Sequence, residues 1–258
     1  MKRKIKYLKY LLKQIQYFLE KKNLPYHKQV DTSLGSQKGQ VEYLLNNFFN
    51  YEKNGLKREG YFVDLACADG INYSNTYFLE KYLNWKGLLI EPNPKFKESI
   101  IKNRTSNYVN ECIGKNNTDI VKFRIDNLMF GGIVGDAFDN NEKHRKEELK
   151  NAEIISFQTK TLESILDEFQ SPEIIDYLNL DVEGGEEEVL LNFNFKKYKF
   201  KFISIERPTV NLDIKLELEN YIQILHAGYD VYYSHRDFIN EINQNPRFVF
   251  KLTPKKDW

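Results

Sequence analysis

The stretch Asp-Leu-Ala-Cys-Ala-Asp-Gly at residues 64–70 follows the apolar run 61–63, as a turn follows a buried strand. Its small residues would let a ligand approach the backbone, and Gly70 can adopt a positive φ. The next apolar run ends in Glu91, 21 residues beyond Gly70. A carboxylate about 20 residues after such a turn binds the ribose hydroxyls in nucleotide-cofactor folds. The turn and Glu91 together therefore predict a nucleotide-cofactor site.

The charge of this turn indicates which cofactor it suits. A nicotinamide dinucleotide carries a pyrophosphate, which prefers a glycine-rich turn at a helix N-terminus. Residues 64–70 contain a single glycine and two carboxylates, Asp64 and Asp69. This negative charge is unfavourable for a pyrophosphate, but it suits S-adenosylmethionine, which has no phosphate and carries a sulfonium and an ammonium group. We therefore prefer methyl transfer to hydride transfer.

A second acidic pair follows the most strand-like stretch, 174–180. Asp181 and Glu183 come just before a Gly-Gly turn, so they are expected at the carboxyl end of a central strand, facing the cofactor cleft. A carboxylate there can orient an acceptor hydroxyl and accept its proton. We predict both as catalytic residues. The next three glutamates, 186–188, are instead expected to favour the positive end of a helix dipole.

His235 is an alternative candidate for the base. It follows the predicted strand 230–233, and loops at strand ends form the ligand cleft in this type of sheet. No cluster of His, Cys and carboxylates has clear metal-ligand spacing, so we predict no metal site.

Strands and helices alternate from residue 60 onwards. Predicted strands cover 61–67, 86–90, 108–113, 121–125, 154–160, 174–180, 201–205, 230–233 and 247–252, and predicted helices include 73–82, 94–102, 162–169, 186–191 and 212–226. This alternation indicates an α/β fold with a doubly wound, mostly parallel sheet. The last two strands have no helix between them, which predicts an antiparallel hairpin at the C-terminal edge. Residues 130–141 are predicted to form a mobile loop on the substrate side.

The composition excludes several classes of protein. A chain of 258 residues suits one α/β domain, and its net charge of +1 does not indicate a nucleic-acid partner. Two cysteines, Cys67 and Cys112, cannot form a disulfide framework, which favours a reducing, cytoplasmic location. No apolar stretch is long enough to predict a membrane-spanning helix.

The first 24 residues differ from the rest in charge. Residues 2–22 hold eight Lys or Arg and one Glu, and their apolar residues recur at three- and four-residue steps. This is the pattern of a basic amphipathic helix. We favour a helix that caps the domain over one that makes peripheral contact with an anionic membrane. The chain is thus divided into a basic helix (1–24), a linker and lead-in helix (25–59), and the main domain (60–258).

Four stretches, in this order, resemble the FkbM-type methyltransferases, which are class I S-adenosylmethionine-dependent enzymes. They begin at residues 62, 74, 161 and 174 and read FVDLACADG, SNTYFLEKYLNWKGLLIEPNP, TLESIL and IIDYLNLDVEGGEEEVL. The resemblance extends over about residues 36–252. It implies a seven-stranded, Rossmann-like methyltransferase sheet with S-adenosyl-L-methionine as cofactor.

The resemblance also implies roles for individual residues. Residues 64–70 would bind the methionine end of the cofactor, Glu91 the ribose hydroxyls, and Cys112 would lie near adenine, while Asp181 and Glu183 would face the reacting centre. The cofactor-binding residues that it implies are Asp64, Ala66, Cys67, Asp69, Gly70, Ser74, Asn75, Thr76, Glu91, Cys112 and Asp181.

Two alanines depart from the family pattern, in which the turn has glycine at the position of Ala66 and asparagine at that of Ala68. An alanine held at positive φ costs on the order of 1 kcal/mol. We expect cofactor binding to survive, because Glu91 and the Asp-Val-Glu-Gly element at 181–184 are intact.

The family methylates hydroxyl oxygens, so the resemblance implies O-methylation of a sugar, a glycolipid or a related small molecule. The partner would then be a small-molecule or glycan acceptor, and no oligomeric state is indicated. The alternative is a non-catalytic binding or scaffold protein that retains the fold, with Ala66 and Ala68 as marks of a decayed pocket. A nicotinamide-dependent oxidoreductase is disfavoured by the acidic turn.

Overall fold

The computed structural model describes residue 41, residues 59–227 and residues 229–241. The basic segment 1–24, nearly all of 25–59 and the predicted strand 247–252 lie outside the described residues. Within the described ranges, no helix is long and apolar enough to cross a membrane.

Ten strands are described. They are β1 (Tyr61–Leu65), β2 (Lys86–Ile90), β3 (Asn107–Val109), β4 (Ile120–Arg124), β5 (Gly132–Ile133), β6 (Ile154–Gln158), β7 (Ile174–Leu180), β8 (Lys199–Glu206), β9 (Tyr221–Ala227) and β10 (Asp230–His235). Seven of them form the main sheet, in the order β3-β2-β1-β7-β8-β10-β9. The first five in this order are parallel, and β10 and β9 are antiparallel to their neighbours. The doubly wound, mostly parallel sheet with an antiparallel edge hairpin is thus confirmed.

The main sheet is buried on both faces, as its apolar strands require. In β1, Val63 and Leu65 join the large core cluster, which also contains residues of the helices between 162 and 218. The alternate residue Phe62 packs on the other face, beneath the guanidinium of Arg104. Aromatic side chains fill much of this interior, among them Phe193, Phe195, Phe200 and Tyr221.

Between the described strands lie six α-helices: α1 (Tyr77–Leu83), α2 (Lys97–Asn103), α3 (Glu142–Leu149), α4 (Leu162–Glu168), α5 (Glu186–Leu190) and α6 (Val210–Leu218). Several of these helices have an N-cap residue whose side chain accepts a hydrogen bond from a backbone amide in the first turn. Thr161 accepts a hydrogen bond from the Ser164 backbone amide at 3.2 Å, and Thr209 accepts one from that of Leu212 at 3.3 Å. Such caps satisfy amide groups that a helix start leaves unpaired.

A second, smaller sheet interrupts the alternation between β3 and β7. It has the order β5-β4-β6, and both of its pairings are antiparallel. Phe123, Ile125, Ile133 and Cys112 form its core. The segment predicted as a mobile loop contributes β5 to this sheet, so part of that loop is regular structure.

The predicted helix 212–226 is wrong in its second half. Helix α6 ends at Leu218, and Asn220 adopts a left-handed conformation with φ of 66°. The following residues form β9, which pairs with β10. The described edge hairpin therefore consists of β9 and β10. The strand 247–252, predicted as the partner of 230–233, lies outside the described residues. The apolar residues after Asn220 fit both a helical and a strand period, and the tertiary pairing decides between them.

The predicted helix over 73–82 also begins later than expected. Helix α1 starts at Tyr77, and Ser74 accepts a hydrogen bond from the Tyr77 backbone amide at 3.0 Å. The residues before Tyr77 therefore remain in the turn that follows β1.

Candidate active site

Four neighbouring parallel strands end at one level. Their pairing places Ile90, Leu65, Leu180 and Ile205 in a single row across β2, β1, β7 and β8. The next residue on each strand is Glu91, Ala66, Asp181 and Glu206, respectively. The strands that follow β1 in sequence, β2 and β3, lie on one side of it, and β7 lies on the other side. The junction between β1 and β7 is therefore a topological switch point, the place where ligands bind in open α/β sheets.

A cleft with about 1250 Å³ of open space, its mouth included, lies over this row. Six carboxylate side chains line it: Asp64, Glu91, Glu111, Asp181, Glu183 and Glu206. Among the described residues that line the cleft, none is Lys, Arg or His. The cleft is therefore suited to neutral or positively charged ligands and poorly suited to phosphate groups.

The turn after β1 has an unusual backbone conformation. Ala66, Ala68 and Gly70 adopt φ values of 60°, 47° and 78°. A left-handed conformation costs a non-glycine residue roughly 1–2 kcal/mol. The turn is held in place by hydrogen bonds: the Ala66 amide donates to the Ile90 carbonyl at 2.8 Å, and the Ala68 amide donates to Glu91 Oε2 at 3.0 Å.

Arg104 supports the turn from behind. Its guanidinium donates to the Gly70 carbonyl at 2.9 Å and to Thr76 Oγ1 at 2.9 Å, and its Nε lies 3.1 Å from Glu80 Oε2. A methyl group on Gly70 would lie 3.1 Å from Arg104 Cγ. Glycine is thus favoured at position 70, both for its positive φ and for the close approach of this arginine.

Asp64 belongs to a buried polar network below the cleft. Thr76 Oγ1 donates to Asp64 Oδ2 at 2.5 Å, and Asn179 Nδ2 donates to Asp64 Oδ1 at 2.8 Å. Asn179 also accepts hydrogen bonds from Asn75 at 2.9 Å and Ser204 at 2.9 Å. Burial raises the pKa of Asp64, whereas these hydrogen bonds and the charge of Arg104 lower it. Asp64 therefore positions the turn while also lining the cleft.

Asn75 carries a buried acceptor that no described residue satisfies. Its Nδ2 is engaged by Asn179, but its Oδ1 has no hydrogen-bond partner in the described part of the chain. Asn75 lines the cleft and is only 7% exposed. Because an unpaired buried acceptor is costly, this oxygen is suited to receive a donor from a bound ligand.

Glu91 lies at the end of β2 with its carboxylate buried beside the turn. Oε2 accepts from the Ala68 amide, and Oε1 accepts from the Asn93 amide at 2.8 Å. Burial raises the pKa of Glu91 to about 7. Each carboxylate oxygen has two lone pairs, so one acceptor position per oxygen remains for hydroxyl groups in the cleft.

Three acidic side chains, Asp181, Glu183 and Glu206, form what we call the acidic end of the cleft. Burial, and then the charges of Glu206 and Glu183, raise the pKa of Asp181 well above its ordinary value. Burial and a hydrogen bond with Asp139 raise the pKa of Glu183 to about 8. Burial opposes ionisation of Asp139 too, but the adjacent guanidinium of Arg207 lowers its pKa. At neutral pH, Glu183 is thus mainly protonated beside an ionised Asp139.

Arg207 compensates much of this negative charge. Its guanidinium pairs with Asp139, lies 3.0 Å from Glu206 Oε2 and lies 3.7 Å from Glu183 Oε2. Glu183 and Arg207 both have left-handed backbones, with φ of 54° and 47°. In the described ranges, no group of three or more His, Cys, Asp or Glu residues is arranged to hold a metal ion.

Comparison with known families places this cleft in context. Residues 64–231 match the family model described as the methyltransferase FkbM domain. The chain belongs to the FkbM methyltransferase family. The match begins at Asp64, near the end of β1, and ends within β10, so it includes all the described residues that line the cleft.

Among solved structures, this chain is similar in fold to the crystal structure of precorrin-6y C5,15-methyltransferase from Geobacter metallireducens GS-15. The two share 12% sequence identity, the alignment covers 82% of this chain and 92% of that one, and the TM-score is 0.39. No curated protein sequence matches the chain.

Most of the site residues predicted from the sequence of this FkbM protein line one cleft. These are Asp64, Ala66, Cys67, Ser74, Asn75, Glu91, Cys112, Asp181 and Glu183. Burial raises the pKa of Cys112 to about 12 and that of Cys67 well above its ordinary value, so both thiols remain protonated. They can contact a ligand only as small, neutral side chains.

Three of the predicted cofactor-binding residues do not line the cleft. Asp69 accepts hydrogen bonds from the backbone amides of Ile71 and Asn72, at 2.9 and 2.8 Å, and Thr76 is directed to Asp64 and Arg104. Gly70 packs against Arg104. These residues shape the turn instead of contacting the cleft.

His235 is not placed to act as the base. Because β10 is antiparallel to β8, the end of β10 lies beside the start of β8. The cleft lies at the other end of β8, beyond its carboxyl end. The His235 ring contacts Tyr221 and accepts a hydrogen bond from the Asp237 amide at 3.1 Å. The sequence prediction failed here because it took the direction of this strand to be parallel.

Several cleft or supporting residues were not identified from the sequence. Glu206 ends β8 in the same row as Asp181, a position that the predicted strand 201–205 already indicated. Arg104, Arg207 and Asn179 carry no comparable signal, because their roles depend on contacts with residues 24 or more positions away. The cleft-lining segment 128–133 consists of a 3-10 turn and β5. The sequence predicted strands close to β4 and β6, but not the small sheet that they form with β5.

The strained turn predicts an unusual response to glycine. Replacing Ala66 or Ala68 with glycine should relieve roughly 1–2 kcal/mol of left-handed strain. The added unfolded-chain entropy should cost only about 0.4–1 kcal/mol. We expect each variant to raise the free energy of unfolding by about 0.5 kcal/mol, measured by urea denaturation.

The matched controls are Ala137→Gly and Ala152→Gly, because neither alanine has a positive φ. Both substitutions should lower the free energy of unfolding. A similar decrease in all four variants would show that the turn is not strained.

Proposed function

We propose that this protein is an S-adenosylmethionine-dependent methyltransferase that acts on a hydroxyl oxygen. The observation that carries the proposal is the cleft over the sheet's switch point, where Glu91, Ala66, Asp181 and Glu206 follow one row of paired residues. Membership of the FkbM methyltransferase family supports the reaction class. The acidic lining supports a cofactor that carries positive charge and no phosphate.

The residues of the cleft fit this cofactor. Glu91 would bind the two ribose hydroxyls with its remaining acceptor positions, beside the amides that already hold it. The turn from Ala66 to Ala68 would lie along the methionine end, and the unpaired Asn75 Oδ1 would accept from its ammonium group. Cys112 would contact adenine as a small, neutral side chain.

When bound, the cofactor would supply an electrophilic methyl group on its sulfonium. Asp181 would orient the acceptor hydroxyl and accept its proton as the oxygen attacks. Within the described part of the chain, no hydrogen bond or ion pair engages the Asp181 side chain, which lines the cleft. A raised pKa makes this carboxylate a stronger base once it is ionised.

Glu183 has a different proposed role. Its carboxyl group is already engaged in a hydrogen bond with Asp139, so it would position the acceptor instead of removing its proton. Its left-handed backbone carries the chain into Gly184, whose φ is 91°. A methyl group on Gly184 would lie 3.1 Å from the Asp139 backbone nitrogen, so this turn can pack closely against Asp139.

The acceptor in this proposal is a sugar, a glycolipid or a related small molecule. The reaction would take place in the cytoplasm, with the basic segment 1–24 available for contact with a membrane that carries lipid-linked substrate. The acceptor would contact the side of the cleft that is formed by β5 and by the 3-10 turn between β4 and β5.

If Glu91 binds the ribose hydroxyls, the loss of its carboxylate and the loss of a ribose hydroxyl should both weaken ligand binding, and the two losses should not add. Glu91→Ala should weaken the binding of S-adenosylhomocysteine by about 1.5–3 kcal/mol, because a hydrogen bond to a charged group is lost. Calorimetry should also show that the 2′-deoxy analogue binds more weakly than S-adenosylhomocysteine to the natural protein, but equally to Glu91→Ala.

Glu98→Ala is the control, because Glu98 is an exposed residue at the start of α2. Its affinity for both ligands should be unchanged. No binding of S-adenosylhomocysteine by the natural protein at millimolar concentration would contradict the proposal and favour the non-catalytic scaffold.

The raised pKa values predict a pH-dependent preference for the charged cofactor. A sulfonium near the carboxyl groups favours their ionised forms, so its binding releases protons from groups such as Glu183, whose pKa is about 8. As the pH rises from 5.5 to 8.5 in calorimetric titrations, the affinity for S-adenosylmethionine relative to S-adenosylhomocysteine should increase about three- to tenfold.

The sulfonium lowers the pKa of the ammonium group on the same ligand, so the Glu183→Gln variant serves as the control for titration of the ligand itself. Glu183→Gln should reduce the pH dependence, because a titrating group is removed. A ratio of the two affinities that stays constant across this pH range would contradict the proposed position of the sulfonium near the acidic end of the cleft.

A further inference from the structure

One wall of the cleft mouth is apolar and exposed. Leu128, Met129 and Phe130, which we call the apolar lip, form a single 3-10 turn between β4 and β5. Their exposed fractions are 67%, 36% and 51%, and all three line the cleft. Tyr73, 54% exposed, is a further apolar ring among the lining residues.

The lip is fixed at both ends by groups that also shape the site. Before it, the Ile125 carbonyl accepts a hydrogen bond from Asn93 Nδ2 at 3.2 Å, and the Asn93 amide donates to Glu91. After it, a methyl group on Gly132 would lie 3.4 Å from Glu183 Cβ. The lip therefore extends between the ribose-binding carboxylate and the acidic end of the cleft.

The backbone of the lip is held in a strained, closely packed form. Leu128 has a φ of 48°, a conformation that a branched side chain rarely adopts. The Phe130 carbonyl accepts a hydrogen bond from Asn140 Nδ2 at 3.2 Å, and a methyl group on Gly131 would lie 2.6 Å from the Arg124 carbonyl oxygen. Strain retained at a cleft is typical of a functional position.

Among the residues that the structure describes, none supplies the cleft beneath the lip with a cation free to receive an anion. The lining contains six carboxylates and, among the described residues, no Lys, Arg or His. The adjacent Arg207 is already paired with Asp139, Glu206 and Glu183. A phosphate or carboxylate entering here would lose its hydration without gaining an ionic partner.

We propose that the acceptor is an uncharged or cationic hydroxyl compound with an apolar face, and that the apolar lip binds this face. The lip would hold the apolar part at the mouth while the hydroxyl reaches Asp181. Phosphorylated and carboxylated acceptors, including nucleotide-linked sugars, would lose their hydration without gaining an ionic partner among the described lining residues. This inference rests on the proposed methyltransferase function and specifies its substrate class.

Two dyes with the same apolar skeleton can test the proposal. Phenylnaphthylamine is uncharged, and anilinonaphthalene sulfonate adds one negative charge. Both would be titrated by fluorescence into the full-length protein saturated with S-adenosylhomocysteine. The double variant Leu128→Ser/Phe130→Ser should weaken the binding of phenylnaphthylamine about tenfold and leave that of the sulfonate unchanged.

The matched control is Ile214→Ser/Leu218→Ser on α6. These residues are 52% and 76% exposed and lie outside the cleft lining, so their removal should not change the binding of either dye. Equal weakening of both dyes by the lip variant, or no weakening of either, would overturn the inference about the acceptor.

Calorimetry with S-adenosylhomocysteine on the same lip variant separates this inference from the proposed function. We expect its affinity to be unchanged. A tenfold loss would assign the lip to the cofactor and overturn the inference. Failure of the natural protein to bind S-adenosylhomocysteine would instead remove the proposed function, and this inference with it.

Discussion

The parallel register of β2, β1, β7 and β8 is the constraint on which the site depends. It aligns four apolar residues in one row, so that the next residue on each strand emerges at the same edge of the sheet. Three of those four residues are carboxylates, Glu91, Asp181 and Glu206. A shift of one residue in any pairing would move its carboxylate away from this level, because side chains alternate between the two faces. The acidic cleft is therefore a direct consequence of strand pairing.

Between two of these carboxylates lies the turn that begins with Ala66. Two left-handed alanines cost roughly 2–4 kcal/mol together. Against this, Glu91 accepts two backbone hydrogen bonds, and a bond to a charged group contributes about 1.5–3 kcal/mol. Arg104 adds further bonds from behind. The two effects are of similar size, so the turn can keep its shape without the glycine of the family pattern at position 66. The same carboxylate that stabilises the turn also faces the cleft.

The sequence was sufficient to predict the sheet and to place the turn, Glu91, Asp181 and Glu183 at the carboxyl ends of strands, because each of them follows an apolar run. It was insufficient for Arg104 and Asn179, whose roles come from long-range contacts. It was misleading for His235, because strand direction is not encoded in apolar periodicity. The small sheet was missed for a related reason: its strand β5 has only two residues, and antiparallel pairing with β4 defines it. The apolar lip lies in this unpredicted part, which explains why the acceptor class could not be inferred from the sequence.

A crystal structure of the protein with S-adenosylhomocysteine tests the proposed site most directly. We expect the ribose hydroxyls to lie within hydrogen-bond distance of the Glu91 carboxylate, the amino group to lie beside Asn75 Oδ1, and the sulfur to face Asp181. A ligand bound outside the cleft, or one whose ribose is directed away from Glu91, would show that the cleft is not the cofactor site.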